Sequence, residues 1–275
     1  MTRPVAIVTG ASSGIGRATA VRLARDFGVV VITARSGEKL QEAGREIAAA
    51  GAEPLALDVD LMDSASAEAV VTRTLDRFGR IDALVNVAGA VPGLDLFEMT
   101  DAQWDAGMAL KFHGARGLTI RAWEALKQAE GSVVFMSGNA AVIPKPAAAA
   151  VGAINAAIEA LAKAFAERGI ADGVQVNSIS PGAIVTGRRL SMLDRIAASR
   201  NVTLDDAKRQ VSQPSRRRPL RRAPRDRRPD RIRRLAGRAL DDWNGAAHGR
   251  RRGEIGVMKL ALHRGRGRPP YSAGA

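Results

Sequence analysis

Cysteine is absent from the 275 residues, which excludes disulfides and thiolate chemistry. Aromatic residues make up only 4% of the chain and tyrosine occurs once, as Tyr271, so a phenol can serve chemistry nowhere in the body of the sequence. No unbroken apolar run is long enough to cross a membrane, and the chain enters its first apolar segment straight after Met1-Thr2-Arg3-Pro4, which leaves no room for a signal peptide. A soluble cytoplasmic protein is expected. Charge imbalance is also missing from most of the chain, despite a net charge of +14. Residues 1–213 hold 23 basic and 23 acidic side chains, and the whole excess lies in residues 214–275, with 19 basic and 5 acidic. The body of the protein is electrostatically ordinary. Its length suits one α/β domain with one sizeable core.

What is present is concentrated first in Val5-Ala6-Ile7-Val8-Thr9-Gly10-Ala11-Ser12-Ser13-Gly14-Ile15-Gly16. A continuous β-branched run suits a parallel strand covered on both faces. Glycines at 10, 14 and 16 allow a sharp turn and close approach of a ligand. The helix expected over 15–27 then offers unpaired amides and the positive end of its dipole to a pyrophosphate. A structural strand–turn–helix could use the same residues, so the remainder of the chain has to decide.

Strands are expected over 28–33, 53–57, 81–86, 132–136 and 174–179. Helices are expected over 38–50, 64–78 (with Ser64 as N-cap), 101–128, 147–168 and 190–211. Strands alternating with helices at this spacing imply βαβ units and a doubly wound parallel sheet with helices on both faces. On the helix over 147–168, Ile154, Ile158, Leu161 and Phe165 share one face, and Glu159 and Lys163 stand at i, i+4 as a candidate ion pair.

The turn has the spacing TGxxxGxG rather than GxGxxG, and TGASSGIG resembles the cofactor loop of the short-chain dehydrogenase/reductase family. Further motifs follow in that family's order over about residues 4–212. Asp58-Val59 stands where the family contacts adenine. Asn86-Val87-Ala88-Gly89 resembles its NNAG segment, with Val87 in place of the second asparagine, and Pro181-Gly182-Ala183-Ile184-Val185-Thr186 resembles PGxIxT, which grips the nicotinamide. The resemblance implies a Rossmann-like fold and a nicotinamide nucleotide held by Thr9, Gly10, Ser12, Ser13, Gly14, Ile15, Gly16, Asp58, Val59, Asn86, Ala88, Gly89, Pro181, Gly182, Ile184 and Thr186. Arg35, just past the second strand, has no carboxylate beside it and suits a 2′-phosphate, so NADP is expected over NAD, with Arg17 assisting. The alternative for Arg35 is a solvated surface arginine. The alanine-rich helix over 147–168 resembles the family's dimer-forming helix, which implies a homo-oligomer.

The family transfers hydride between a carbonyl and an alcohol with Asn, Ser, Tyr and Lys. All four positions depart here. Val151 replaces tyrosine, Asn155 replaces lysine, Gly138 falls at the serine position between Ser137 and Asn139, and Lys111 takes the asparagine position. Valine cannot donate a proton, and losing a general acid removes about 10²–10⁴-fold in rate. The candidate catalytic residues are therefore Lys111, as proton source or oxyanion partner, with a lysine making a structural bond or facing solvent as the alternative, Ser137, orienting the carbonyl, and Asn155. His113, two residues beyond Lys111, is expected to pack elsewhere. The leading function is hydride transfer between NADP(H) and a small-molecule carbonyl or alcohol with non-standard catalytic residues. A nucleotide-binding protein without turnover is the alternative.

From about residue 213 the chain becomes rich in Arg, Pro and Gly and loses hydrophobic periodicity. Such a segment cannot bury enough apolar surface to order itself, and disorder is expected over 213–275. Back-translation suggests its origin. Leu240-Asp241-Asp242-Trp243-Asn244-Gly245-Ala246, read one base forward, gives Trp-Met-Thr-Gly-Thr-Ala, and the same shift over 220–228 permits Phe-Gly-Glu-Pro-Pro-Glu-Ile-Ala. Both resemble family segments in family order. We expect a frameshifted tail and a sheet lacking its last strand, with nucleic-acid binding by a basic arm as the competing reading. That reading is weakened by the scarcity of aromatics for base stacking.

Overall fold

The computed structural model describes residues 3–182, 184 and 186–212. The tail over 213–275, with the disorder and frameshift expected of it, lies outside the described residues.

β1 (Val5–Thr9) is followed by α1 (Gly14–Leu23), β2 (Val29–Ala34), α2 (Gly37–Ala49), β3 (Glu53–Asp58), α3 (Ser64–Phe78) and β4 (Ala83–Asn86). α4 (Asp101–Met108), a π-helical turn (Ala109–Gly114) and α5 (Ala115–Gln128) then run into β5 (Ser132–Met136), α6 (Ala149–Asp172), β6 (Gln175–Ile179), α7 (Gly187–Arg200) and α8 (Leu204–Ser212). The six strands form one sheet in the order β3-β2-β1-β4-β5-β6, and every neighbouring pair is parallel. No seventh strand occurs among the described residues, so β6 ends the sheet there.

The unbroken apolar sequence of β1 has a direct cause. Alternate residues of a strand face opposite sides, and both sides are covered. Val5 and Ile7 pack with Val70 of α3, Leu118 and Leu126 of α5 and Ile158 of α6. Ala6 and Val8 pack with Leu23 of α1 and Leu40 and Ile47 of α2. The core is therefore two layers separated by the sheet, the doubly wound α/β arrangement expected from the alternation of elements.

Three local expectations are corrected. α3 is capped by Asp63, whose carboxylate accepts from the Ala65 amide, rather than by Ser64. The helix expected over 190–211 is two helices, because Asn201 adopts φ +49° and turns the chain between α7 and α8. The helical segment Pro146–Asp172 has a mean hydropathy of 1.4 in its most apolar window. It is thus long and apolar enough to cross a membrane by length and composition, although no unbroken apolar run is. Its Ile154, Ile158 and Ala162 are buried in the protein's own core.

Strand order reverses beside β1: β2 lies on one side and β4 on the other. Such a switch point opens a crevice at the carboxyl ends of the strands, where ligands of doubly wound sheets bind.

Candidate active site

Glycine builds one wall of that crevice. Gly10 adopts φ +66° and Gly14 φ +55°, conformations that an L side chain rarely adopts. A side-chain carbon on Gly10 would stand 2.9 Å from the Ala88 Cα, and one on Gly16 would stand 2.3 Å from the Gly10 carbonyl oxygen. The turn, the start of α1 and the segment after β4 are thus in backbone contact. Thr9, 1% exposed, pins the junction: its hydroxyl oxygen accepts from the amides of Val87 at 2.9 Å and Ala88 at 3.0 Å. Ser13 takes the N-cap of α1 in an extended conformation without a side-chain capping bond. The first-turn amides of Gly14, Ile15 and Gly16 therefore have neither an intrahelical acceptor nor a side-chain cap from Ser13, which suits an anion. Ser12 is half-buried and Ser13 exposed at this end. From the loop after β6, the Thr186 methyl lies 3.6 Å from where a side-chain carbon on Gly14 would be, so the first and last expected cofactor motifs meet.

The other expected cofactor residues line the same strand ends. Asn86 is 5% exposed and donates to the Thr119 hydroxyl at 3.1 Å. The Pro181 carbonyl accepts from the Asn139 amide at 3.0 Å, Gly182 is exposed with open space where a side chain would stand, and Ile184 is exposed. Across the crevice, Asp58 ends β3 exposed, and the Val59 amide donates to the Ala34 carbonyl at 3.1 Å. Arg35 projects beyond β2 with its side chain 63% exposed and one nitrogen 4.0 Å from Asp60, reaching outward as a phosphate ligand requires. Arg17 does not join it, a correction to its expected assisting role. Its guanidinium is held by Glu42 at 3.0 Å and Glu46 at 2.9 Å. Bonding to Glu46 and then Glu42 raises the Arg17 pKa, and the same bond lowers that of Glu46.

The structure gathers the three candidate catalytic residues. Lys111 lies in the π-helical turn, a feature frequent at functional sites. Its stem packs over Gly89, where a side-chain carbon would be 3.0 Å from the lysine Cδ. Its ammonium donates to Asn155 Oδ1 and, at 3.4 Å, to the Ser137 carbonyl. Asn155 is 3% exposed. Ser137 is buried too, and its hydroxyl is directed to the Asn155 main-chain carbonyl at 3.1 Å and Glu159 Oε1 at 2.8 Å, which gives it protein partners where a substrate carbonyl is expected. Asn139 is exposed, and so is His113, whose ring stands edge-on to Phe112 at 5.2 Å. Val151 joins an apolar cluster with Val91, Trp104, Met108 and Ile154.

Sequence reading missed Glu159. In place of the expected pair with Lys163, its carboxylate accepts from both the Ser137 and Ser180 hydroxyls. The signal was available: Glu159 stands four residues after Asn155, on the same face of α6. The glycine at 138, which falls at the family's serine position, leaves room for the Asn155 amide. A side-chain carbon there would be 2.7 Å from Nδ2.

Comparison with known proteins agrees with this architecture. The sequence model of the short chain dehydrogenase family matches residues 4–195. A 3-oxoacyl-[acyl-carrier-protein] reductase of Staphylococcus aureus is 31% identical over 193 residues, 70% of this chain and 78% of the relative. The corresponding reductase of Synechocystis is 35% identical over 188 residues, 68% of this chain and 76% of its own. Among solved structures, the L-sorbose reductase of Gluconobacter frateurii complexed with NADPH and L-sorbose superposes with a TM-score of 0.71 at 28% identity, covering 76% of this chain and 80% of that one. A metagenomic short-chain oxidoreductase in complex with NADP gives 0.62 at 37% identity over 66% of this chain and 83% of that one. With its family match spanning most of the described residues and its motifs converging on one crevice, this chain belongs to the short-chain dehydrogenase family.

Proposed function

We propose that the protein is an oxidoreductase that transfers hydride between NADP(H) and a small-molecule carbonyl or alcohol, with Lys111 in the place of the usual phenolic acid. The observation that carries this reading is the cradle of Gly10, Gly14 and Gly16, packed to backbone contact and roofed by Thr186, which leaves the α1 amides open to a pyrophosphate. Arg35 supports the phosphorylated nucleotide, as do the bound cofactors of the two structures compared above. When bound, a nicotinamide nucleotide supplies the hydride. The chain's own residues supply the rest: the amides of Gly14 to Gly16 and Thr186 hold the cofactor, and Arg35 receives the 2′-phosphate. The Lys111 ammonium, held at Asn155, gives a proton to the substrate oxygen during reduction and recovers one from solvent. Val151 and its apolar neighbours form an uncharged wall beside that lysine.

The exposed remainder of α6, apolar in composition, supports a homo-oligomer, and the absence of cysteine is compatible with a cytoplasmic setting. Fluorescence titration with NADPH and NADH, on the wild type and Arg35→Ser, tests the reading. A charge-assisted bond contributes about 1.5–3 kcal/mol. The wild type should therefore prefer NADPH and the variant should lose about tenfold or more of that preference. Failure to bind NADPH at saturating concentration, or an unchanged preference, overturns it. Turnover across a panel of carbonyls separates an enzyme from the binding-only alternative, and Lys111→Ala should abolish that turnover.

A further inference from the structure

Three of the positions that depart from the family's catalytic pattern touch one another. Lys111 reaches from the π-helical turn to α6 and donates to Asn155 Oδ1. The Asn155 amide nitrogen fills the space that a side chain at 138 would occupy. The second acceptor of Lys111 is the carbonyl of Ser137, the neighbour of Gly138.

We infer that the changes at 111, 138 and 155 are a single transposition. The ammonium comes from the π-helical turn instead of α6, the amide comes from α6 instead of the turn, and glycine at 138 makes room for that amide. Asn155 is a positioning residue that aims Lys111, and Lys111 supplies the nucleotide crevice with a cation in addition to Arg35. A lysine ammonium on a flexible stem has many rotamers to choose from. Packing on Gly89 and the amide acceptor select one. The α6 backbone that carries the amide is held in turn, because the Ser137 hydroxyl is directed to the main-chain carbonyl of Asn155, and Glu159 gathers the Ser137 and Ser180 hydroxyls one turn further along α6. An amide accepts from the ammonium without neutralising it, which a carboxylate at 155 would do.

The cofactor part of this inference rests on the NADP(H) reading; the coupling of the pair does not. The test uses the full chain and the variants Lys111→Asn, Asn155→Lys, their double exchange and Asn155→Asp, with thermal unfolding without nucleotide and NADPH fluorescence titration as readouts. Each single exchange should weaken NADPH binding about tenfold, and the double exchange should recover to within about threefold of the wild type. Asn155→Asp retains an acceptor for Lys111, so its unfolding temperature should hold while its NADPH affinity falls about tenfold. Should Asn155→Lys fail to fold, Gly138→Ala displaces the amide and should give the same loss of affinity. Additive single effects in the double exchange overturn the transposition, as does wild-type affinity in Asn155→Asp or Gly138→Ala. If the wild type itself binds no NADPH, the proposed function fails, and the unfolding cycle alone decides: coupling between 111 and 155 supports the transposition and additivity overturns it.

Discussion

Thr9 and Thr33 are register partners on β1 and β2, both essentially unexposed, yet opposite outcomes are expected when each is replaced by the near-isosteric valine. The Thr9 hydroxyl oxygen accepts from two backbone amides of the segment after β4. The Thr33 hydroxyl is buried without a hydrogen-bond partner among the described residues. Thr9→Val leaves two donors without an acceptor, and an unsatisfied buried donor costs about 1–3 kcal/mol. Val87 and Ala88 are only half-buried, so water can reach part of that loss and the pair should cost about 1–3 kcal/mol in total. Thr33→Val instead removes a desolvated hydroxyl that gains nothing in return, and should be neutral or stabilising by up to about 1 kcal/mol. Urea unfolding of the two variants, compared at equal slope so that only the midpoint moves, should separate them by at least about 1 kcal/mol, with Thr9→Val the weaker. Equal stabilities, or a larger loss at Thr33, would refute the assignment of Thr9 as the anchor of the crevice.

Gly16→Ala should cost nucleotide binding more than about a hundredfold by titration, because the added carbon meets a backbone carbonyl at 2.3 Å that cannot rotate away. The accompanying overpacking should destabilise the fold by about 1–3 kcal/mol, and wild-type affinity would count against the cradle. Asp172 accepts from the Trp123 indole at 2.7 Å and from Arg168 at 2.6 Å, and these bonds, the indole first, lower its pKa. Its contribution is therefore full above the unfolded carboxylate pKa of about 3.9 and lost as pH falls through the lower folded value. The unfolding-temperature gap between wild type and Asp172→Asn should be constant above about pH 5 and close below about pH 4; a gap independent of pH would rule the carboxylate out. For the tail, the coding DNA read one base forward beyond about codon 213 should give a continuous family-like C-terminal segment. An uninterrupted frame with the host's codon usage throughout would refute the frameshift.

The sequence reads clearest where structure is local. Val5 to Val8 announce a strand covered on both faces, since period-two apolar residues with no polar alternate leave no face for water. Glycines 10, 14 and 16 announce the cradle because the constraint that selects them is backbone conformation within a few residues. Lys111, Ser137 and Asn155 could be nominated together because the resemblance to the family implies where its catalytic positions fall along this sequence. The errors fall where polar groups choose partners. Arg17 was expected at a phosphate and is held by carboxylates 25 and 29 residues away. The spacing pairs Glu159 with Lys163, whereas its carboxylate is turned to two hydroxyls about 20 residues off. Asn201 in the left-handed region ends α7, and Thr203, whose hydroxyl oxygen accepts from the Asp206 amide at 3.1 Å, opens α8.

The order of residues by itself therefore determined the α/β sheet, the glycine turn and the strand ends proposed to hold the nucleotide, because periodicity and backbone freedom act over a few residues. Only the packed structure decided that Lys111 meets Asn155 across 44 positions of chain, that Gly138 makes room for that amide, and that the Ser137 hydroxyl turns inward. Those pairings depend on how the π-helical turn, β5 and α6 converge, and burial leaves each polar group to find whichever partner the packing of neighbouring elements brings within reach.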